Sequence, residues 1–69
     1  MENAIEKLFN IIKENTKQWY EYKELFGDKD PIATVMLNNI TRLEKAFERI
    51  AGHSYTTHLI EYCRSCLHT

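Results

Sequence analysis

The sequence predicts an all-α protein: an antiparallel hairpin of two long helices, with a shorter third helix folded across it, assembled as an oligomeric bundle. Apolar residues recur at steps of three, four and seven along the 69-residue chain, which is the spacing of one face of an α-helix. Two Gly and one Pro leave room for few turns. A chain of this length forms one domain with a thin core, which oligomerisation would enlarge.

The first helix is predicted over about residues 2–26. Its buried stripe includes Ile12, Trp19 and Phe26, and Gly27 follows as a residue that readily ends a helix. On a helical wheel the apolar arc spans roughly 220°, which is wider than one partner helix covers. We therefore expect this helix to be central, or shared with another subunit.

The second helix is predicted over about residues 31–51. Asp30 can accept hydrogen bonds from its first turn, Pro31 fits a turn that needs no donor, and Gly52 ends the helix. The link GDKD is too short to reach anything but a neighbour, so the two helices are expected to run antiparallel.

The antiparallel pairing predicts several side-chain positions near the link. Trp19, Tyr22 and Phe26 lie on the buried stripe and are predicted to form the core at this end. Asn39 is expected opposite Trp19, where it could accept a hydrogen bond from the indole N–H. Alternatively, Asn15 and Asn39 fix the register of a bundle or an oligomer.

The third helix is predicted over about residues 54–67, with Ser54 or Thr56 as its N-cap. The segment GHSYTTH, residues 52–58, gathers hydroxyls and His53 at this helix N-terminus. Because helix N-termini attract anions, capping and anion binding are both open interpretations.

The segment CRSC has the spacing of metal or redox sites. His58 and His68 lie close enough in sequence to act as further ligands. On a regular helix, however, Cys63 and Cys66 project into the apolar arc while both histidines project away from it. The sequence therefore predicts buried, reduced, metal-free thiols.

Charge and motifs exclude several classes of function. Lys and Arg total 9, Asp and Glu total 10, and the net charge is -1, which disfavours nucleic acid and an anionic membrane as partners. The first twenty residues lack the apolar run of a signal peptide, which predicts a cytoplasmic protein. No Ser-His-Asp order, glycine-rich phosphate loop or pair of carboxylates in a recognisable catalytic motif occurs. We therefore expect that the protein is not an enzyme, has no catalytic residue and uses no cofactor.

Exposed cations and one aromatic residue are candidates for binding. Arg42, Lys45 and Arg49 form a stripe on the outside of the second helix that could hold phosphates or an acidic surface, although a solvated face or ion pairs with glutamates would explain it too. Tyr20 lies at the edge of the apolar arc, where it could meet the third helix, another subunit or a ligand. If the apolar flank that holds Phe9, Tyr20 and Leu37 stayed exposed to water, the chain would lose a few kcal/mol of folding stability at ~25 cal/mol per Å² of unburied area. A symmetric homo-oligomer that buries this flank is therefore predicted.

Two segments resemble phage proteins. The layout of Trp19 and Tyr22 before LFGDKD, then a helix, then ERIAGHSYTTH, resembles small orphan proteins of phages and prophages of Gram-positive bacteria. The segment ITRLEKAF, residues 40–47, resembles the second-helix segment of phage sponge proteins that sequester cyclic-nucleotide signals of bacterial immunity. The resemblance implies a non-enzymatic, oligomeric viral protein that acts by occupancy in the host cytoplasm.

Two hypotheses for function follow. In the first, the protein sequesters a nucleotide immune signal, with a base stacked on Tyr20 or Tyr55 at a subunit junction and the phosphates held by Arg42, Lys45 or Arg49. In the second, the same surface is an interaction module that inhibits or bridges a host or phage protein. A concave site beside an aromatic would favour the nucleotide, whereas a flat, exposed stripe would favour a protein partner. A third hypothesis, catalysis by the Cys and His residues near the C-terminus, has no recognisable arrangement of catalytic residues to support it.

Overall fold

A computed structural model describes residues 3–67 and the side chains of residues 3–66. It contains three helices, α1 (Ala4–Phe26), α2 (Pro31–Ala51) and α3 (Tyr55–Leu67), and no strand within the described range. The predicted all-α class is confirmed, and α1 packs against α2. The predicted first residue of α1 lies outside the described residues; the other helix ends differ from prediction by at most one residue. None of the helices in this range is long and apolar enough to cross a membrane.

Each helix begins at a side chain that accepts a hydrogen bond from a backbone N–H of the first turn. This arrangement satisfies a donor that has no partner inside the helix, and it fixes where the helix starts. The predicted caps of α2 and α3 are confirmed. The three acceptors are Asn3 Oδ1 for Glu6 N–H at 2.8 Å, Asp30 Oδ1 for Ile32 N–H at 2.9 Å, and Ser54 Oγ for Thr57 N–H at 3.1 Å.

Both long helices end at glycine, as predicted, but the two glycines adopt different conformations. Gly52 has φ 79° and ψ 6°, which is the left-handed helical conformation. Gly27 has φ 89° and ψ 163°, a combination that is extended in ψ and essentially restricted to glycine. The chain therefore leaves α1 in an extended direction and enters the short link to α2.

The three helices meet around an aromatic cluster at the end of the hairpin remote from the GDKD link. Phe47 of α2 is fully buried, with the ring of Phe9 from α1 at 6.3 Å and the ring of Tyr55 from α3 at 6.0 Å. Phe9 and Tyr55 are 5.5 Å apart, so each ring contacts the other two. Ile12 and Ile40 complete the buried cluster. α1 therefore contacts both other helices, as its wide apolar arc predicts.

Packing at the link end differs from the sequence prediction. Trp19 and Tyr22 are half-buried, but Phe26 is 60% exposed, and its ring lies 4.5 Å from that of Tyr22. The prediction that Phe26 belongs to the core is wrong. The reason is the position of α3: its 13 residues cover the opposite end of the hairpin and leave the link end open.

The hydrogen bond of the Trp19 indole also differs from prediction. Its N–H donates to the backbone carbonyl of Ala33 at 3.1 Å, and the predicted acceptor, Asn39, is exposed. Ala33 is buried, and its small side chain lets the indole approach the α2 backbone. Asn39 lies about 120° away from Ala33 around the helix, which takes it out of reach of the indole.

The cluster predicts a large difference between two phenylalanines. We expect Phe47→Ala to lower the free energy of unfolding by about 3–5 kcal/mol, because the substitution leaves a cavity where three helices meet. The matched control is Phe26→Ala, which removes an exposed ring and should cost less than about 1 kcal/mol. Urea denaturation followed by circular dichroism measures both, and equal losses would contradict this description of the core.

Candidate interaction surface

The basic stripe does not form one site. Arg42 lines a groove between α1 and α2, whereas Lys45 and Arg49 line a shallow, open depression with Glu48 on the outside of α2. All three cations are exposed. Within the described part of the chain, no ion pair joins any of them to an acidic side chain. The stripe is a solvated face whose charges do not converge on a single pocket.

The two candidate stacking tyrosines lie in different environments. Tyr55 is only 7% exposed, and its ring packs between Phe9 and Phe47, so it has no open face for a base, contrary to the sequence prediction. Burial raises the pKa of Tyr55, and the nearby Glu44 and Cys63 side chains raise it further. Tyr20 is 53% exposed; its ring contacts the Trp19 ring at 4.8 Å. Tyr20 does not line the groove that holds Arg42.

The flank predicted to mediate oligomerisation is divided in the structure. Phe9 is buried beneath α3, so the expectation that it stays wet in a single chain is wrong. Leu37 is exposed and lines a smaller pocket of about 240 Å³ with Trp19 and Lys23. The Lys23 ammonium lies over the Trp19 ring at 4.4 Å and covers part of its face.

A groove of about 500 Å³ runs between α1 and α2, and polar amide side chains line much of it. Asn15 and Gln18 line it from α1, and Asn39 lines it from α2 beside Arg42. Apolar side chains continue the same faces of both helices toward their ends, and several are largely exposed. Leu25 is 77% exposed, and Ile11, Ile32 and Ile50 are about half exposed.

Both helices carry this surface with the same repeat. The residues follow alternating steps of four and three on each helix, a seven-residue repeat that keeps one face of a helix toward a partner. We call this surface the groove face. It consists of Ile11, Asn15, Gln18, Tyr22 and Leu25 on α1, and Ile32, Met36, Asn39, Leu43, Ala46 and Ile50 on α2.

Sequence reasoning did not separate the groove face from the hairpin core, although the signal was present. The wide apolar arc of α1 contains two stripes. One holds Ile12 and packs on α2 within the chain; the other holds Ile11 and Leu25 and stays exposed. The position of Asn15 and Asn39 in the groove is compatible with a role in fixing register. The other role considered for Asn39, as acceptor for the Trp19 indole, is wrong because that N–H donates to the Ala33 carbonyl.

The hydroxyls and histidines at the start of α3 satisfy one another. Ser54 accepts from Thr57 N–H, and its hydroxyl donates to Thr57 Oγ1 at 2.9 Å, which confirms capping. His53 Nε2 and His58 Nδ1 lie 2.9 Å apart, so one ring donates to the other. His58 turns inward, with its ring 4.5 Å from that of Phe9, instead of projecting away from the apolar arc as predicted.

The cysteines are exposed, so the prediction that they are buried is wrong. Tyr55, His58, Leu59 and Tyr62 form the face of α3 that meets the hairpin, and the Tyr62 ring lies 5.4 Å from that of Phe9 although its outer side is exposed. Cys63 therefore lies at the exposed edge of the contact face, and Cys66 lies beyond the last turn that contacts the hairpin. His68, considered as a ligand, lies outside the described residues. Among those that are described, no group of three or more metal-ligating side chains occurs.

Tyr22, on the groove face, is held by the residue that caps α2. Its hydroxyl donates to Asp30 Oδ1 at 3.0 Å, and the same oxygen accepts from Ile32 N–H. Burial first, and then the Asp30 carboxylate, raise the pKa of Tyr22. This contact ties the end of α1 to the start of α2 across the link.

The exposed cysteines predict two reactive thiols. We expect a thiol-specific reagent to modify two equivalents in the folded protein without prior unfolding, because both side chains are exposed. Cys63→Ser and Cys66→Ser should each remove one equivalent. A thiol that reacts only after unfolding would show that α3 is rotated relative to this description.

The Tyr22 contact predicts a change in titration. Asp30→Asn keeps a good cap but removes the negative charge, so the pKa of Tyr22 should fall while burial still holds it above its ordinary value. Because folding favours the neutral phenol, its stabilisation is present below about pH 10 and is lost as pH rises through the raised pKa. An NMR titration of the ring carbons measures this, and an unchanged pKa in Asp30→Asn would contradict the contact.

Comparison of the chain with protein-family models, with curated proteins and with solved structures gave no match.

Proposed function

We propose that this protein is an interaction module that acts by occupancy and turns nothing over, with the groove face as its binding surface. The observation that carries the proposal is the row of exposed apolar side chains along both long helices. Leu25, Ile32 and Ile50 are each more than half exposed, and Ile11 is nearly so. Exposed apolar side chains grouped on one face, around a polar middle, are typical of a protein contact surface.

The shape and spacing of the groove face suit a helical partner. An α-helix laid against two parallel ridges buries residues at steps of three and four, which are the steps that the groove face itself carries. The amides of Asn15, Gln18 and Asn39 supply donors and acceptors in the middle of this surface. They would give a partner polar contacts as well as apolar ones, which favours one register over others.

The nucleotide hypothesis has less support than the interaction module. Arg42 lies in the groove, while Lys45 and Arg49 lie together on the outside of α2 in a shallow depression without an aromatic residue. Tyr55 is buried and Tyr20 lies elsewhere. A flat, solvated basic face is typical of a protein contact surface, not of a phosphate pocket.

The resemblance to phage proteins suggests where such a module would act. We propose a phage-type protein that works in the host cytoplasm by binding a protein through the groove face, either a host protein or a phage protein such as a second copy of this chain. Its near-neutral charge fits a partner recognised by apolar contact instead of a strongly charged one.

Photo-crosslinking from two adjacent asparagines tests the proposal. A photoreactive phenylalanine analogue is introduced in place of Asn39, which lines the groove, and in separate protein in place of Asn38, which is exposed outside it. After irradiation of cells that produce each variant, we expect discrete protein adducts from position 39 and few from position 38, because the residues differ by about 100° around α2.

The outcome is decided by the difference between the two positions. A defined adduct at position 39, whether with another protein or with a second copy of the chain, supports the module. Equal labelling at both positions, or none at either, would overturn it. Recovery of a nucleotide that stabilises the protein and is weakened by Arg49→Ala would favour sequestration instead.

A further inference from the structure

We infer that a second copy of this chain occupies the groove face, so that two hairpins form a four-helix bundle about a two-fold axis parallel to the helices. This inference rests on the proposed function, because it names the partner of the same surface. In this arrangement α1 of one chain packs against α2 of the partner, antiparallel, just as it packs against α2 within its own chain.

The first argument is the repeat. Four-helix bundles need a seam with alternating steps of three and four on every helix, and a hairpin inside such a bundle needs two faces of this kind. α1 has one such face around Ile12, which packs within the chain, and a second through Ile11, Gln18 and Leu25. α2 repeats the pattern with Ile40 inside the chain and the groove face beside it.

The second argument is the level of charged residues along the bundle. The rings of Phe9 and Phe47 contact each other, so these two positions lie at about the same level of the antiparallel pair. Moving five residues along each helix toward the link brings Glu14 level with Arg42. A two-fold axis parallel to the helices keeps these levels between chains, so Glu14 of one chain lies level with Arg42 of the partner subunit.

The flanks of the groove face decide the orientation of the axis. Glu14 immediately precedes Asn15 of the groove face, and Arg42 immediately precedes Leu43, so each flanks the seam at the equivalent position. In antiparallel helices these flanking positions face each other and set the choice of partner. Both side chains are exposed, and neither forms an ion pair with another residue in the described range.

The alternative two-fold axis, perpendicular to the helices, is less favourable. It would place α1 against α1 and α2 against α2, with Glu14 near its own copy and Arg42 near its own copy in the middle of the interface. The parallel axis puts opposite charges there, and brings Lys7 near Arg49 only at the open end, where water and salt screen the repulsion.

The available area is adequate for a stable dimer. A helix of about 21 residues is roughly 32 Å long, and two helices side by side are roughly 20 Å wide, which gives a projected face of about 600 Å². The accessible surface exceeds this projection because side chains are corrugated. A standard interface buries about 800 Å² per partner, so the groove face approaches the required size.

A charge-swap experiment tests both the partner and the arrangement. Sedimentation equilibrium of the wild-type chain is expected to give twice the 8.2 kDa chain mass. Glu14→Arg and Arg42→Glu, each alone, should raise the dimer dissociation constant by about tenfold or more, because each puts like charges together at two symmetric places. The double variant should restore it to near the wild-type value.

Lys45→Glu is the matched control, because it makes the same charge reversal on α2 outside the groove face. It should leave the dissociation constant nearly unchanged, and helical circular dichroism checks that all variants are folded. Single variants that dimerise like the wild type, or a double variant without rescue, would overturn the arrangement.

The two proposals fail differently. A wild-type chain that stays monomeric at high micromolar concentration, yet yields an adduct with a different protein from position 39, would overturn the second copy and leave the interaction module standing. Both proposals would be overturned if the chain still formed a dimer after substitutions on the groove face and gave no adduct from position 39.

Discussion

The packing of Phe9 against Phe47 and Tyr55 is the contact on which the rest of this structure depends. These three rings come from three different helices, and each contacts the other two. The same face of α3 adds His58 and Tyr62, whose rings also contact Phe9, at 4.5 Å and 5.4 Å. The position of the cluster therefore decides which part of the hairpin α3 covers and which part it leaves open.

The short third helix limits what one chain can bury. It shields the aromatic cluster at one end of the hairpin, while Phe26 at the other end and the groove face remain open. An exposed row of apolar residues on a small domain reduces its stability margin and its solubility unless another surface covers it. The size of α3 is therefore the reason that a single chain leaves apolar side chains of both long helices in contact with water.

The helix ends were predictable because they are set by local chemistry: Asp30 and Ser54 cap helices, and Gly52 ends one. The rotation of α3 was not predictable in the same way. It depends on which aromatic faces meet across the hairpin, and an error of one helical position exchanges Tyr62 with Cys63 as the residue that faces the hairpin. The groove face was not predicted for a related reason. Periodicity shows that α1 is apolar over a wide arc, but it does not show which stripe of that arc packs against α2 of the same chain.

The amides in the groove face explain how such a surface could stay selective. A seam made only of Ile and Leu would bind in several registers with similar free energies, whereas a polar residue at a seam position penalises every register in which it lacks a partner. Asn15, Gln18 and Asn39 lie together in the middle of the groove, between apolar ends. They lower the maximum affinity of this surface, because an amide must be desolvated before it can be buried. The favoured register is the one in which the three amides are hydrogen-bonded to the partner. Arg42 lies at the edge of the same groove, where a carboxylate of the partner in that register can form an ion pair with it.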